Sequence, residues 1–439
     1  MMNKLSFKRD IDVRHDVDVL VVGGGPSGVA AAVSAARQGA KVFLAEASSC
    51  LGGAGTSALV PAFMQFTDGE NFLAAGIGKE ILNCMWEYGG KVEGWQYSIK
   101  AEALKCVYDD LVIQAGVDFA LHTQMIAVDA TEGKVNYVVF TAKSGLFAVK
   151  AKVYIDGTGD GDLCVWAGAG FEKGDSEGRM MAGTLCSLWA NIDWSRVKKP
   201  DTRKLEEAFK EKIFTNEDRH LPGMWRVGET IGGGNIGHTF GVDATDERSL
   251  TKSLVWARKS LTEYERYYKE YLDGFSEMEL VATGAQLGIR ESRRIMGDYV
   301  MVLDDFVKKA VFEDEIGRYC YPVDIHASDS TKESFAKFEK EYYSLRYKKG
   351  ESYGIPYRIL TPRGLDNVLV AGRCVSCDRY IQSSIRVMPG CFITGQAAGV
   401  AAAIAVEKNT HIRGFDIKEL QLRLRRVGAY LPNYKENRA

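Results

Sequence analysis

The sequence predicts an α/β architecture, a parallel sheet with helices on its faces joined to a second, α+β domain. Three observations carry this. A strand, a glycine-rich turn, a helix and a second strand follow one another between Val17 and Glu46. Two later apolar runs, Val153 to Ile155 and Val368 to Ala371, each end in a glycine turn. The chain has 439 residues, where one domain takes roughly 150, so two or three domains fit.

In the first unit, Asp18 to Val22 is apolar enough for a strand buried on both faces. Gly23-Gly24-Gly25-Pro26-Ser27-Gly28 follows, then an alanine-rich helical pattern from Val29 to Gln38 that stops at Gly39. Lys41 to Ala45 is the second strand, and it closes on Glu46. Each part has a task in holding a dinucleotide. Gly23 makes the tight turn, Gly25 lets the backbone approach a pyrophosphate, and Gly28 lets helix and strand pack closely. The helix N-terminus around Pro26 and Ser27 offers N–H groups and about half a positive charge. Glu46 stands where a carboxylate accepts the two ribose hydroxyls of an adenosine. This pattern indicates a dinucleotide and does not by itself separate NAD from FAD.

Composition sets the outer limits. The chain is 46% hydrophobic and 26% charged, the balance of an ordinary globular protein rather than a disordered one. Lys plus Arg number 56 against 58 Asp plus Glu, and no basic run is present, which argues against a nucleic-acid partner. Forty-six glycines beside nine prolines point to close backbone approaches rather than to a linker. The N-terminal stretch lacks the apolar core of a secretory signal. The best apolar window, Val400 to Val406, is too short for a membrane span. Nine dispersed cysteines read as free thiols of a reducing compartment, so the cytoplasm is expected, with no membrane partner.

Further segments settle the cofactor by resemblance. They are Ser49-Cys50-Leu51-Gly52-Gly53-Ala54-Gly55-Thr56, Tyr154-Ile155-Asp156-Gly157-Thr158-Gly159-Asp160, Asn367 to Cys374, and Ile385 to Cys391 with Thr394-Gly395-Gln396-Ala397-Ala398-Gly399. Gly241 to Asp246, Gly288 to Arg294, Asp324-Ile325-His326 and Ile355 to Arg358 match as well. Across roughly residues 15–410 the chain resembles the FAD-dependent oxidoreductases of the glutathione-reductase-like fold. More narrowly, it resembles the branch called simply the FAD-dependent oxidoreductase family, distant kin of thiazole synthases and of heterodisulfide-reductase flavin subunits. The resemblance implies a Rossmann-like FAD-binding domain with a three-stranded antiparallel insertion, and noncovalent FAD. It adds Ala47, Gly52, Gly53, Thr56, Gly157, Asp160, Gly372, Arg373, Met388, Gly390 and Cys391 to Gly23, Gly25, Pro26, Ser27, Gly28 and Glu46 as cofactor contacts. It also implies that the helix after Gly390 points its N-terminus at the flavin, with Gly395 and Ala398 serving packing.

The cofactor segments are dispersed, so the FAD-binding domain is expected to be discontinuous, 15–175 and 360–415. A substrate-binding cap over 176–359 and a C-terminal helix and tail over 416–439 complete the division. Ser249 to Tyr271 reads as a charged helix of the cap, and Gly232-Gly233-Gly234 as a loop. For proton transfer the candidates are His238 and His326, since imidazole titrates near working pH. His238 departs from the family pattern, which leads one to expect arginine there. Arg290 and Arg358, with Arg293 and Arg386, are candidate clamps for a carboxylate or phosphate. Cys374 and Cys377 read as incidental, and no cysteine run suits a metal or cluster, so no metal is expected.

The expected activity is hydride transfer between a small polar substrate and flavin N5. Three alternatives stay open: a reductase fed by NAD(P)H, an electron-transfer subunit with a protein electron acceptor, and an FAD-binding protein without turnover. Oligomeric state is not legible.

Overall fold

The computed structural model describes residues 8–434 apart from 93, 95, 96, 200 and 220–222. The first unit forms as β1 (Val13–Val22), α1 (Pro26–Arg37) and β2 (Val42–Ala45). β3 (Asp118–Ala120), β4 (Gln124–Thr131), β5 (Lys134–Ala142) and β6 (Gly145–Asp156) follow. β3, β2, β1 and β6 lie side by side and parallel, and Val368–Val370 joins the far edge of β6. β6 pairs parallel with β1 from Ala148 to Asp156 and is long enough to take two partners on its other edge. There its first residues pair antiparallel with β5, and β5 with β4, while its end pairs parallel with Val368–Val370, all in one sheet. This is the expected three-stranded antiparallel insertion on a Rossmann-like sheet.

Side chains alternate across the parallel strands, as the pleat demands. Val19, Val21, Val153, Ile155 and Leu369 enter one core; Leu20, Val22, Tyr154, Val368 and Val370 enter the other. Over the first face lie α1 and the long helix Met388–Glu407. These two helices meet backbone to backbone. A Cβ at Gly395 would stand 2.2 Å from the Ser27 carbonyl oxygen, and one at Gly399 would stand 2.2 Å from that of Ala31. Met388–Glu407 is, among the described residues, the one helix long and apolar enough to cross a membrane, and 94% of that window is buried inside the protein.

A third core lies between Leu185 and Leu287. It is built on an antiparallel sheet in the order Glu279–Thr283, Ser187–Ala190, Gly232–Gly234, Met224–Arg226. The helices Thr202–Lys210 and Glu247–Tyr271 add apolar residues such as Leu205, Phe209, Leu261 and Tyr264, the second capped by the Asp246 side chain accepting from the Ser249 N–H. Gly232 to Gly234 is therefore a strand and not the expected loop. Its glycines are there for space: a Cβ at Gly232 would meet Ile192 at 2.5 Å, and one at Gly233 would meet Pro61 at 2.3 Å. Packing from both faces has overridden the low strand propensity of glycine.

A hairpin of Glu315–Tyr319 and Tyr353–Pro356 adds Ile316, Tyr319, Tyr353 and Ile355 to the first core. The helix Lys332–Ser344 lies between its strands in sequence. The helix Ile417–Arg426 is the last regular element among the described residues, and residues 435–439 of the expected tail lie outside them.

Candidate functional site

The first half of the site is made where β1 and β6 end side by side. Gly23 has φ +94°, and a Cβ there would stand 2.7 Å from the Gly157 carbonyl oxygen. At Gly28 a Cβ would stand 1.8 Å from the Gly23 carbonyl oxygen, so this glycine closes helix onto turn. Gly25 differs: the nearest atom to its Cβ position is 3.9 Å away, and the residue faces a cleft. α1 starts there with no side-chain cap and with Pro26 in its first turn, leaving backbone N–H groups for a ligand anion. Glu46, at the end of β2, is buried; its Oε2 accepts from the Gly24 N–H at 2.6 Å and its Oε1 from the Ser48 N–H at 2.7 Å. These bonds aim the carboxylate and leave lone pairs for hydroxyl donors.

Asp156 ends β6 wholly buried. It accepts from the Thr158 N–H and hydroxyl on one oxygen and from the Cys164 N–H on the other, while burial raises its carboxyl above the usual range. It thereby pins the loop that presents Gly157, Thr158, Gly159 and Asp160 to the cleft. Arg373 Nη2 donates to Asp160 at 2.7 Å, and its buried Nη1 has no partner among the described residues. Met388 and Cys391 bring the uncapped start of the helix Met388–Glu407 to the same wall. Burial pushes the Cys391 thiol up to about 12, and it donates to the Arg386 carbonyl oxygen, so it is no nucleophile at neutral pH.

Of the expected cofactor contacts, Gly23, Gly25, Pro26, Ser27, Glu46, Ala47, Gly53, Gly157, Asp160, Arg373, Met388 and Cys391 line one cleft. Gly28, Gly52, Thr56, Gly372 and Gly390 shape its wall from behind. The Gly52 N–H donates to the Gly24 carbonyl, the Thr56 hydroxyl to the Leu51 carbonyl, and the Gly372 N–H to the Thr394 hydroxyl. A Cβ at Gly390 would stand 2.3 Å from the Ile385 carbonyl oxygen.

The cleft is continuous, about 1310 Å³, and runs from this cradle to a polar wall shared by the third core and the hairpin. That exceeds the roughly 300–1,000 Å³ of a usual small-molecule site and suits a long cofactor with room beyond it. The wall carries Arg290, Asp324, His326 and Arg386, with Tyr321, Phe338 and Tyr342 beside them. Arg290 is buried, and its hydrogen-bond partners among the described residues are all neutral: the Ala182 carbonyl, the Thr184 hydroxyl and the Asn235 amide oxygen. Burial, helped by the neighbouring Arg386 charge, pulls its guanidinium down to about 10. Arg386 Nη2 reaches Asp324 at 3.3 Å, while its buried Nε has no partner among the described residues.

His326 lies 7% exposed on this wall, and burial, with the Arg290 and Arg386 charges, holds it well below the ordinary histidine range. Its Nδ1 is 3.0 Å from His238 Nε2, and its Nε2 is 3.4 Å from Asp324 Oδ2. His238 does not line the cleft. It sits behind His326 with its Nδ1 3.0 Å from Asp218 Oδ2. Arg358 is not brought to the site: it is half exposed, pairs with Asp314 at 3.0 Å and lies over the Tyr299 ring. Arg293 is likewise paired with Asp162.

Sequence reasoning missed Asp218 and the tyrosine Tyr342. The first sits in an irregular polar stretch and the second on a charged helix, and no spacing marks either. Cys374 and Cys377 are both buried and free, and their thiols donate to different carbonyls, Ala371 and Val375. Among the described residues no group of three or more His, Cys, Asp and Glu is placed to hold a metal.

A protein-family model described as FAD dependent oxidoreductase matches residues 18–424. Among solved structures, the chain is similar to a geranylgeranyl bacteriochlorophyll reductase-like protein from Thermoplasma acidophilum, at 15% identity and a TM-score of 0.46, over 94% of this chain and 84% of that one. It is also similar to p-nitrophenol 4-monooxygenase from Pseudomonas putida, at 12% identity and a TM-score of 0.44, over 93% of this chain and 84% of that one. The residues present fit the cofactor that the family match implies: an open glycine at a bare helix N-terminus for the pyrophosphate, a buried carboxylate for a ribose, and, lining the same cleft, Arg373 with an Nη1 that has no partner among the described residues. With its cradle so built and the family match spanning residues 18–424, this chain belongs to the FAD-dependent oxidoreductase family, and FAD is its cofactor.

Proposed function

We propose that the enzyme moves a hydride between a small polar substrate at the cap wall and FAD in the cradle, and that the substrate carries an acidic group. The observation that carries this is Arg290, a buried guanidinium at the wall of the cleft whose hydrogen-bond partners among the described residues are all neutral. A buried charge costs free energy unless it is paired, and a substrate carboxylate supplies that pairing bidentately. Bound FAD supplies a hydride acceptor or donor at N5. The protein then has to hold the substrate and move one proton. Arg290 and Arg386 orient the acidic end, His326 exchanges a proton with the substrate heteroatom, and Tyr321, Phe338 and Tyr342 keep water out.

The test is anaerobic titration of the FAD-loaded protein with alcohols, amines, sugar derivatives and 2-hydroxy or 2-amino acids, following loss of the flavin bands. Bleaching by an acid, and far less by its amide, is the expected result. Bleaching by NADH or NADPH alone would favour a reductase. Reduction only through a protein partner would favour an electron-transfer subunit, and no reduction by anything would leave an FAD-binding protein.

A further inference from the structure

The proton exchanged at His326 has a route inward. We propose that Asp218, His238 and His326 form a proton relay that opens on the cleft at His326, with His238 as the internal proton acceptor and Asp218 as its counter-ion. The inference deepens the reading above and rests on it for the identity of the reaction, though not for the geometry.

Hydrogen positions follow from the partners. An ionised Asp218 can only accept, and its oxygens lie 3.0 and 3.1 Å from His238 Nδ1, so that nitrogen carries the hydrogen. With His238 neutral, its Nε2 is then an acceptor. His326 Nδ1, 3.0 Å away, donates to it, and the lone pair of His326 is on Nε2, the side of the cavity-lining Asp324. When a substrate O–H or N–H bond breaks, its proton bonds to His326 Nε2. The His326 Nδ1–H bond breaks as a new N–H bond forms at His238 Nε2. One proton enters and one moves on; no electrons travel along the chain. The charge ends on His238, against Asp218, and His326 Nε2–H now faces the Asp324 carboxylate at 3.4 Å.

This placement answers a physical difficulty. A cation on His326 itself would be buried and opposed by the Arg290 and Arg386 charges, and the nearest carboxylate, Asp324 at 3.4 Å, is already shared with Arg386. One ring further in, the same charge meets Asp218 at 3.0 Å. Among the described residues, the groups that face the pair include Asp218, Asp324, Arg290, Arg386 and the Tyr264 hydroxyl, which is 3.3 Å from Asp218 Oδ2. The rings of Phe240, Phe335 and Phe338 pack against it. Asp218 and His238 are thus positioning residues acting through His326.

Asp218→Asn supplies a readout that a structural role would not move. The His238 backbone N–H donates to Asp218 Oδ2 at 2.8 Å, so the asparagine oxygen is held there, still 3.0 Å from His238 Nδ1, and its NH₂ takes the place of the other oxygen. The amide keeps an acceptor for the Nδ1 hydrogen and removes the negative charge that a cation on His238 needs. Nitrogen NMR on histidine-labelled, FAD-loaded protein, above the usual histidine range of pH and without substrate, reads the tautomers directly. The expected result is hydrogen on Nδ1 of both histidines in the wild type and in Asp218→Asn, with the flavin spectrum intact and substrate-dependent bleaching slowed at least about tenfold in the variant. A wild-type His326 protonated at Nε2, or bleaching unchanged by the substitution, overturns the relay. If the variant loses FAD, the wild-type tautomers decide alone. Failure of flavin bleaching with acids, by contrast, would overturn the substrate reading and leave these tautomers untouched.

Discussion

Two glycines three positions apart do opposite things at the dinucleotide turn. A methyl at Gly28 meets a carbonyl oxygen at 1.8 Å, which no side chain can relieve, so Gly28→Ala is expected to yield misfolded protein by circular dichroism. A methyl at Gly25 meets nothing nearer than 3.9 Å, so Gly25→Ala should fold normally. Its methyl occupies space the pyrophosphate needs, and FAD affinity should fall at least about tenfold, roughly 1.4 kcal/mol, in a fluorescence titration. At the other end of the cleft, His326→Gln keeps the fold and the flavin. The reduction of flavin by substrate should slow about 10²- to 10⁴-fold in stopped flow, the usual loss when a positioned general base is removed. The roles of these residues differ in legibility. Gly23, Gly25, Gly28 and Glu46 stand in a local pattern whose spacing carries their task. Asp218 reaches His238 only because the third core folds a polar stretch back over the sheet, and no spacing along the chain records that contact.

Among the elements, the pairing of α1 with Met388–Glu407 bears most on the cofactor, because both helices begin at the cleft. Their approach depends on Gly395 and Gly399, one turn apart. Gly399→Ala would press a methyl to 2.2 Å from the Ala31 carbonyl oxygen and should cost about 1–3 kcal/mol, as overpacking does, visible as a lower midpoint in urea. The helices and central strands were legible because alanine-rich and branched apolar runs have the periods of buried elements. The strand Gly232–Gly234 was not. Glycine reads as a breaker when only the chain is considered, and here the demand for room comes from Pro61 and Ile192, which are distant in sequence. Gly233→Ala, with its methyl 2.3 Å from Pro61, should displace the cap sheet and weaken substrate-dependent bleaching while FAD stays bound.

At the scale of the molecule, one cleft joins three cores, and a ligand filling it holds them together. Thermal midpoints should therefore rise with added FAD, since binding to the native state alone adds about 2.7 kcal/mol at a hundredfold excess over the dissociation constant. A midpoint indifferent to FAD would mean that the cradle does not hold it. The sequence by itself determined the parallel sheet, the dinucleotide cradle and the class of cofactor. Those features are local: a turn, a helix start and a carboxylate separated by fixed numbers of residues in one continuous unit. Tertiary structure alone decided which arginine faces the cleft and which pairs off on the surface, since Arg290 and Arg358 differ only in what folding places beside them. It also decided that two histidines 88 residues apart stand 3.0 Å from each other, because contact across a folded core is set by packing and not by separation along the chain.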